Sequence, residues 1–327
     1  INTDIKRNWE IARLQSKIFD TKSLSEIVTF VLETDKHFCL NVSPMEVGIR
    51  LSSLDCWIEK KFRELEMKDE LWEKILAYYL KGLNFIHRFN ESHGRNTSNH
   101  HLANLCSQIC ILRRLHEAND QFKPLLEKVL HEFYRVVDKQ ILLDGAYFES
   151  SVSYGRFALE MIQAASSQMI LPQIVQRKTT LLTQWVCAFS DHQKDVLSFG
   201  DRDDGHFLPF AKSFDGYSLN KKQAFKFSNS KVINQNDFKF FLWGCDYGQQ
   251  NNGGHSHNDK GTFELHYKNR AIICDPGLSN YGSNPQMRNY FRSAKQHCVP
   301  YSDYEPRKIP QYLCLLYTSD AADEEDS

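Results

Sequence analysis

Apolar side chains recur at intervals of three and four along the first 210 residues. Ile5, Trp9 and Ala12 begin the pattern. Behind Pro44, the residues Val47, Leu51, Leu54 and Ile58 share one side of a helix. Leu102, Leu105, Ile109 and Leu112 do the same, with Thr97 and Ser98 placed as caps just before them. Phe157, Met161 and Ala165 repeat the spacing after Tyr154. Helical text also runs through 71–89, 123–139 and 178–189. At least six helices with no strand between them predict paired helices packed as a bundle, a solenoid or a toroid.

The period shortens near residue 210. Phe225 to Ser228 and the segment 238–247 are short and aromatic-rich. From Thr262 the chain alternates, with Phe263, Leu265 and Tyr267 on one face and Thr262, Glu264 and His266 on the other. Asn269 is placed to turn the chain into 271–274, and Asp275-Pro276-Gly277 stops that run. An antiparallel sheet domain is expected to follow the helical one. The chain shows no repeat of fixed period and no low-complexity linker.

Composition narrows the function classes. Hydrophobic residues make up 41% and charged residues 25%, which excludes wholesale disorder. Lys+Arg is 40 against Asp+Glu 41, so the broad basic field of a nucleic-acid coat is absent. No run approaches the length of apolar sequence that a membrane-spanning helix needs. Aromatic residues reach 13% and offer stacking surfaces for a ligand such as a sugar. The nine cysteines include no CxxC pair and read mostly as buried thiols.

The densest polar cluster is Asn251-Asn252-Gly253-Gly254-His255-Ser256-His257-Asn258-Asp259, directly before the alternating strand. Its glycines permit close backbone approach, and two His at i, i+2 point the same way on extended chain. With Asp275 at the end of the next strand and His297 downstream, His257 completes a three-ligand set of zinc-binding types. A second cluster, from Asn96 to His101, opens a helix; its spacing alone reads as plain helix capping, and the free N–H groups there also suit a carboxylate. A third, Glu149 to Arg156, places Tyr154 and Arg156 at another helix start. The run Asp201-Arg202-Asp203-Asp204-Gly205 superficially matches a calcium loop, but its twelfth position is Lys212 rather than Glu, which rejects an EF-hand. Walker, GxGxxG and GxSxG motifs are absent.

Taken in order, these segments resemble the heparinase II/III-like polysaccharide lyases, a group with related alginate lyases. The matching text is Ser43 to Arg50, Asn99-His100, Asp144 to Tyr154, Gly200 to Gly205, Gly254 to Asp259 with Phe263-Glu264-Leu265, Asp275 to Gly277, and Phe291 to His297. The resemblance extends to about residue 310. It implies an α+β chain, with an N-terminal (α/α) toroid over 1–210 and the start of an antiparallel β-sandwich over 211–313. A sandwich cut after its first strands is expected to leave an uncovered apolar face and low stability. The run 314–323 resembles a translated sequencing adapter, so 314–327 is expected to be foreign text.

The resemblance further implies an acidic polysaccharide substrate, cleaved by β-elimination, and a periplasmic or envelope location. Asn99 and His100 then match the pair that binds and neutralises the uronate carboxylate. Tyr154 and His255 match the catalytic tyrosine and histidine, Arg156 a substrate-binding position, and His257, Asp275 and His297 a structural Zn2+ site. Two departures stand out: Gly155 where the family usually has His after the tyrosine, and Cys298 and Pro300 after His297. A glycoside hydrolase on a helical toroid is the main rival. Its carboxylates would come from Glu149, Asp201 and Asp203, which the sequence leaves outside the His/Tyr/Asn constellation. A non-catalytic glycan-binding or biosynthesis-associated relative is the other.

Overall fold

A computed structural model of the chain describes residues 9, 11–62, 69–92, 97–167, 169–209, 222–279 and 284–300. The expectations for Ile5, Asn96, Lys212 and the stretch 301–327 fall outside the described residues.

The helical part comprises α1 (Leu24–Thr34), α2 (Pro44–Lys61), α3 (Asp69–Arg88), α4 (Asn99–Ala118), α5 (Lys123–Gln140), α6 (Val152–Ser166) and α7 (Gln173–Ala188). α4 is the hub and packs against α2, α5 and α6. Leu102, Leu105, Ile109 and Leu112 are buried as the spacing predicts. Ser107, Gln108 and Ile111 on its other sides are buried as well, so the helix is enclosed from Leu102 to Leu112, while Glu117 and Ala118 at its end are exposed. Ser98 caps it by accepting from the His101 N–H.

Three helix features differ from the sequence reading. α1 went unread, although its Ser23–Glu26 capping box is the legible signal: each side chain bonds the other's backbone N–H. α6 starts at Val152, because Ser151 caps it by accepting from the Tyr154 N–H at 3.2 Å. Tyr154 is thereby inside the first turn. α7 begins five residues earlier than read, directly after Pro172.

The sheet is an antiparallel meander in the order β1 (Lys222–Phe225), β2 (Ser230–Gln235), β3 (Phe238–Leu242), β4 (Phe263–Tyr267), β5 (Arg270–Ile273). Lys268 and Asn269 both have positive φ, 47° and 64°, the signature of a tight hairpin turn matched to strand twist. The inner face rests on the end of α7 through aromatic packing. The ring of Phe189 lies 5.7 Å from Phe225 and 5.6 Å from Trp243, and Trp243 stacks on Phe199 at 5.1 Å.

The alternation in β4 is as read, but the polar face turns inward. Glu264 and His266 are buried and bonded to each other, whereas Phe263, Leu265 and Tyr267 lie on the outer face. Phe238 and Phe240 pair with Tyr267 and Leu265 there, leaving Phe238 about half exposed at 49%. A short helix, α8 (Pro285–Arg292), also escaped the sequence reading and follows the sheet. The eight described cysteines are free thiols, but only Cys106, Cys110 and Cys245 are buried; Cys39, Cys274 and Cys298 are exposed.

The Gly155 departure has a packing cause. A Cβ at this position would lie 2.6 Å from Cζ3 of Trp185 and 3.2 Å from Cβ of Tyr147, both fully or almost fully buried. Trp185 fills the space a larger residue would need. Gly155→His is therefore expected to destabilise the fold by about 1–3 kcal/mol, the usual scale for overpacking a core. Combining it with Trp185→Ala should return part of that loss, since the two sites share one volume. Urea melts of the two single variants and the double variant measure the coupling; strictly additive losses would contradict it.

Candidate active site between the helices and the sheet

The Gly-rich loop 251–259 lies against the segment that follows α7. Gly200 has φ of +72°, and a Cβ there would meet the carbonyl oxygens of Ser150 and His255 at 2.5 and 2.9 Å. This close approach lets the Asp201 N–H donate to the His255 carbonyl at 2.9 Å, while Gly200 N–H donates to Asp259 Oδ2. Helix α8 braces the loop from behind: Arg292 donates to the carbonyls of Gly253 and Ser256.

Asp201 is the charge centre of the site. Its side chain has no exposed surface. Oδ2 accepts from Arg288 at 2.6 Å and faces His255 Nδ1 at 3.0 Å, and Oδ1 faces His257 Nε2 at 2.9 Å. Burial on its own would raise this carboxyl. The Arg288 charge and the two imidazoles outweigh it and hold Asp201 well below the ordinary carboxylate range. It therefore fixes the orientation of both imidazoles, much as a carboxylate behind a catalytic histidine does.

The Tyr154 ring stacks on the His255 ring, with centroids 3.6 Å apart and planes at 19°. Tyr154 comes from the first turn of α6 and His255 from the sheet-side loop, so the two halves of the molecule meet at this pair. Asn99 joins it through Glu149. The Asn99 backbone N–H donates to Glu149 Oε1 at 2.8 Å, and Glu149 Oε2 lies 3.7 Å from His255 Nε2. The N–H expected to meet a substrate carboxylate is thus already engaged by the protein's own carboxylate. That task falls to His100 and to the Asn99 side-chain amide, whose Nδ2 rests 3.9 Å from Met45 Sδ. Asn99 Oδ1 is buried with no hydrogen-bond partner among the described residues.

His100 sits beside Asn99 on α4 with its Nδ1 2.8 Å from Glu91 Oε1. Glu91 Oε2 also accepts from Asn104 at 2.7 Å, and Glu91 itself holds a positive φ of 53°. Burial pushes the His100 imidazole down, but the charge and hydrogen bond of Glu91, helped by Glu149 and Glu46, raise it above 6.5. The Glu91 contact therefore favours the protonated form of His100 beside Asn99.

Arg156 is placed elsewhere. Its guanidinium donates to Glu160 and to the carbonyls of Asp203 and Gly205, and faces His206 at 3.0 Å. It ties the 203–206 loop to α6 rather than presenting itself to a ligand.

His257, Asp275 and His297 lie together beyond Asp201. His297 Nδ1 is 2.8 Å from Asp275 Oδ2, and the rings of His257 and His297 are 5.4 Å apart. Burial outweighs the pull of the Asp201 and Asp259 carboxylates and lowers the His257 imidazole, which favours its neutral form. With Nε2–H donating to Asp201, its Nδ1 lone pair is buried and takes no hydrogen bond from the described residues, which suits a metal ligand. Among the described residues no three His, Cys, Asp or Glu side chains already form a metal cage. The donor types fit zinc, and the three-way convergence is not formed.

Sequence reasoning placed Glu149 and Asp201 outside the constellation, and the structure puts both inside it. It also missed Arg288, Arg292 and Glu91. The acidic run 201–204 was the available signal for Asp201. Arg288 carried none, because its role depends on how α8 folds back.

Comparison with known proteins places this architecture. Residues 220–299 match the family model "Heparinase II/III-like, C-terminal". Over that stretch the chain is similar to a heparinase II/III-like C-terminal domain. Its structure is similar to the crystal structure of heparinase III, with a TM-score of 0.61 at 16% identity, covering 78% of this chain and 46% of that one. The heparan sulfate lyase HepC from Pedobacter heparinus gives 0.54 at 18% identity, covering 76% of this chain and 43% of that one. A further heparinase III gene product gives 0.60 at 16%, covering 83% and 45%. Identities this low establish the shared fold of helices followed by an antiparallel sheet. The chain spans less than half the length of each of these proteins. No curated protein matches the sequence.

The His100–Glu91 pair makes a pH prediction. A histidine whose folded pKa is raised adds stability that is fully present below its unfolded value of 6.5 and fades as pH rises through the folded value. In Glu91→Gln the downward push of burial should prevail and His100 should titrate lower than in the parent. Histidine NMR titrations read this directly, and an unmoved His100 would contradict the assignment.

Proposed function

We propose that this chain belongs to a lyase that cleaves a uronic-acid-containing polysaccharide by β-elimination. The observation that carries the reading is the Tyr154–His255 stack at 3.6 Å, joined through Glu149 to Asn99 at the head of α4. The shared fold with heparinase III and a heparan sulfate lyase supports the same class.

Elimination from a uronate removes the C5 proton, which is weakly acidic until the adjacent carboxylate is neutralised. The Asn99 amide and the cationic His100 supply hydrogen bonds and charge where the enolate develops, the electrostatic contribution that is usually largest. Tyr154 and His255 are the proton-transfer pair, taking the C5 proton and protonating the departing O4. Asp201 keeps His255 in register from behind.

A hydrolase reading is less well supported. It needs two carboxylates facing the glycosidic bond, about 5–9.5 Å apart. Both oxygens of Asp201 are taken by His255, His257 and Arg288, and Oε1 of Glu149 by Asn99 and Gln249. Gly155 does not by itself favour a non-catalytic relative, because Trp185 occupies its space.

His257, Asp275 and His297 would hold a zinc ion whose contribution is to lock the end of β5 to the loop bearing His255. The expected location is the periplasm or cell envelope.

Incubation with heparan sulfate, alginate and other uronate polymers should yield an unsaturated sugar end that absorbs in the ultraviolet. A saturated reducing end instead would mean hydrolysis. Tyr154→Phe removes one hydroxyl with little change of volume and should lower turnover by at least ~100-fold. Near-parental elimination by that variant would refute the mechanism. Elemental analysis should find zinc in the parent and less in His257→Ala; equal zinc in both would exclude this ligand set.

A further inference from the structure

We propose that Glu149 is a positioning residue that sets the separation between the carboxylate-binding Asn99 and the proton-transfer His255. The kinetic part of this proposal rests on the elimination reading; the geometric part does not.

Glu149 has no exposed surface and lies in the segment between α5 and α6, ahead of Tyr154. Its carboxylate reaches both halves of the site at once. Oε1 accepts the backbone N–H of Asn99 at 2.8 Å, at the first residue of α4, and the side-chain amide of Gln249 at 2.8 Å. Gln249 lies in the turn Gly248–Asn251 that leads into the loop carrying His255. Oε2 lies 3.7 Å from His255 Nε2 and takes no hydrogen bond from the described residues. A single side chain thus spans the start of a helix, the turn into the Gly-rich loop and the catalytic imidazole.

The backbone around Glu149 is built to hold this contact. Gln249 N–H donates to the Phe148 carbonyl at 2.8 Å, and Ser150 Oγ donates to the Asp246 carbonyl at 2.6 Å. Gly248 packs so tightly on Glu149 that a Cβ would lie 2.5 Å from its carbonyl carbon. Ser150, Gln249 and Gln250 all adopt positive φ, at 54°, 54° and 58°. Non-glycine residues rarely occupy that region, and clusters of them persist where surrounding contacts over-determine the backbone. Here the contacts converge on Glu149.

Both lone pairs of Oε1 are used, so an amide oxygen can replace it, whereas a shorter side chain cannot reach both donors and His255 together. Three variants separate positioning from general stability: Glu149→Gln, Glu149→Asp and Glu149→Ala. Hydrogen exchange of the Asn99 amide is read in each, with kcat and KM for elimination wherever the parent is active. Exchange at Asn99 should stay near parental in Glu149→Gln and speed up at least tenfold in Glu149→Asp and Glu149→Ala. In the last two kcat should fall by about 100-fold, the scale of an ångström-level misplacement, with KM changing much less. Glu149→Gln should recover most of that loss. If Glu149→Ala does not fold, Glu149→Asp carries the comparison. Unchanged exchange at Asn99 in a folded Asp or Ala variant overturns the proposal whatever the activity. Near-parental kcat in those variants of an active parent overturns it too. A parent that forms no unsaturated product rejects the elimination reading, and the exchange data then decide the role of Glu149 alone.

Discussion

A fully buried, ionised Asp201 is the constraint from which the rest of the site follows. A carboxylate taken out of water is tolerated only when charge and hydrogen bonds compensate it, and losing one partner of such a buried pair costs about 3–5 kcal/mol. Here Arg288 and two imidazoles compensate, and they come from α8 and the Gly-rich loop. The sheet-side segments must therefore fold back over the end of the helical part for the charge to be stable there. The same contacts orient His255 against Tyr154, so the stability of the junction and the geometry of the site share one origin.

Two kinds of interaction divide the interface. At one end Phe189, Phe199, Phe225, Phe241 and Trp243 form an apolar contact between α7 and the sheet. It is strong but weakly directional. At the other end the contact is polar: Asp201, on the segment after α7, meets His255 and His257 of the Gly-rich loop and Arg288 of α8. Such contacts fix orientation, because each buried donor or acceptor must be met in a particular direction. Aromatic packing brings the layers together, and the polar network sets their register.

The position after Tyr154 is set by packing against the neighbouring helix. Gly155 in place of His reads as a vacancy in one dimension, yet Trp185 from the next helix occupies the volume. Arg156 shows the converse. It stands beside the tyrosine in sequence, but the i, i+4 spacing to Glu160 and the carbonyls of Asp203 and Gly205 draw it away from any ligand.

Much of the architecture was legible in the chain itself. Periodicities of three to four and of two mark the helices and strands, because each records which face of a local element is apolar. Motif order, from Asn99 to Tyr154 to His255, carried the family resemblance and the main candidate residues. Which face of β4 turns inward was not legible, because both faces satisfy the same alternation and the choice depends on what packs against them. Nor was the membership of Glu149, Asp201, Arg288 and Glu91 in the site. Each is an ordinary charged residue in sequence, and its role comes from partners tens of residues away. Local pattern determined the elements of this protein. Long-range charge compensation, decided only when the sheet folds onto the helices, determined the site.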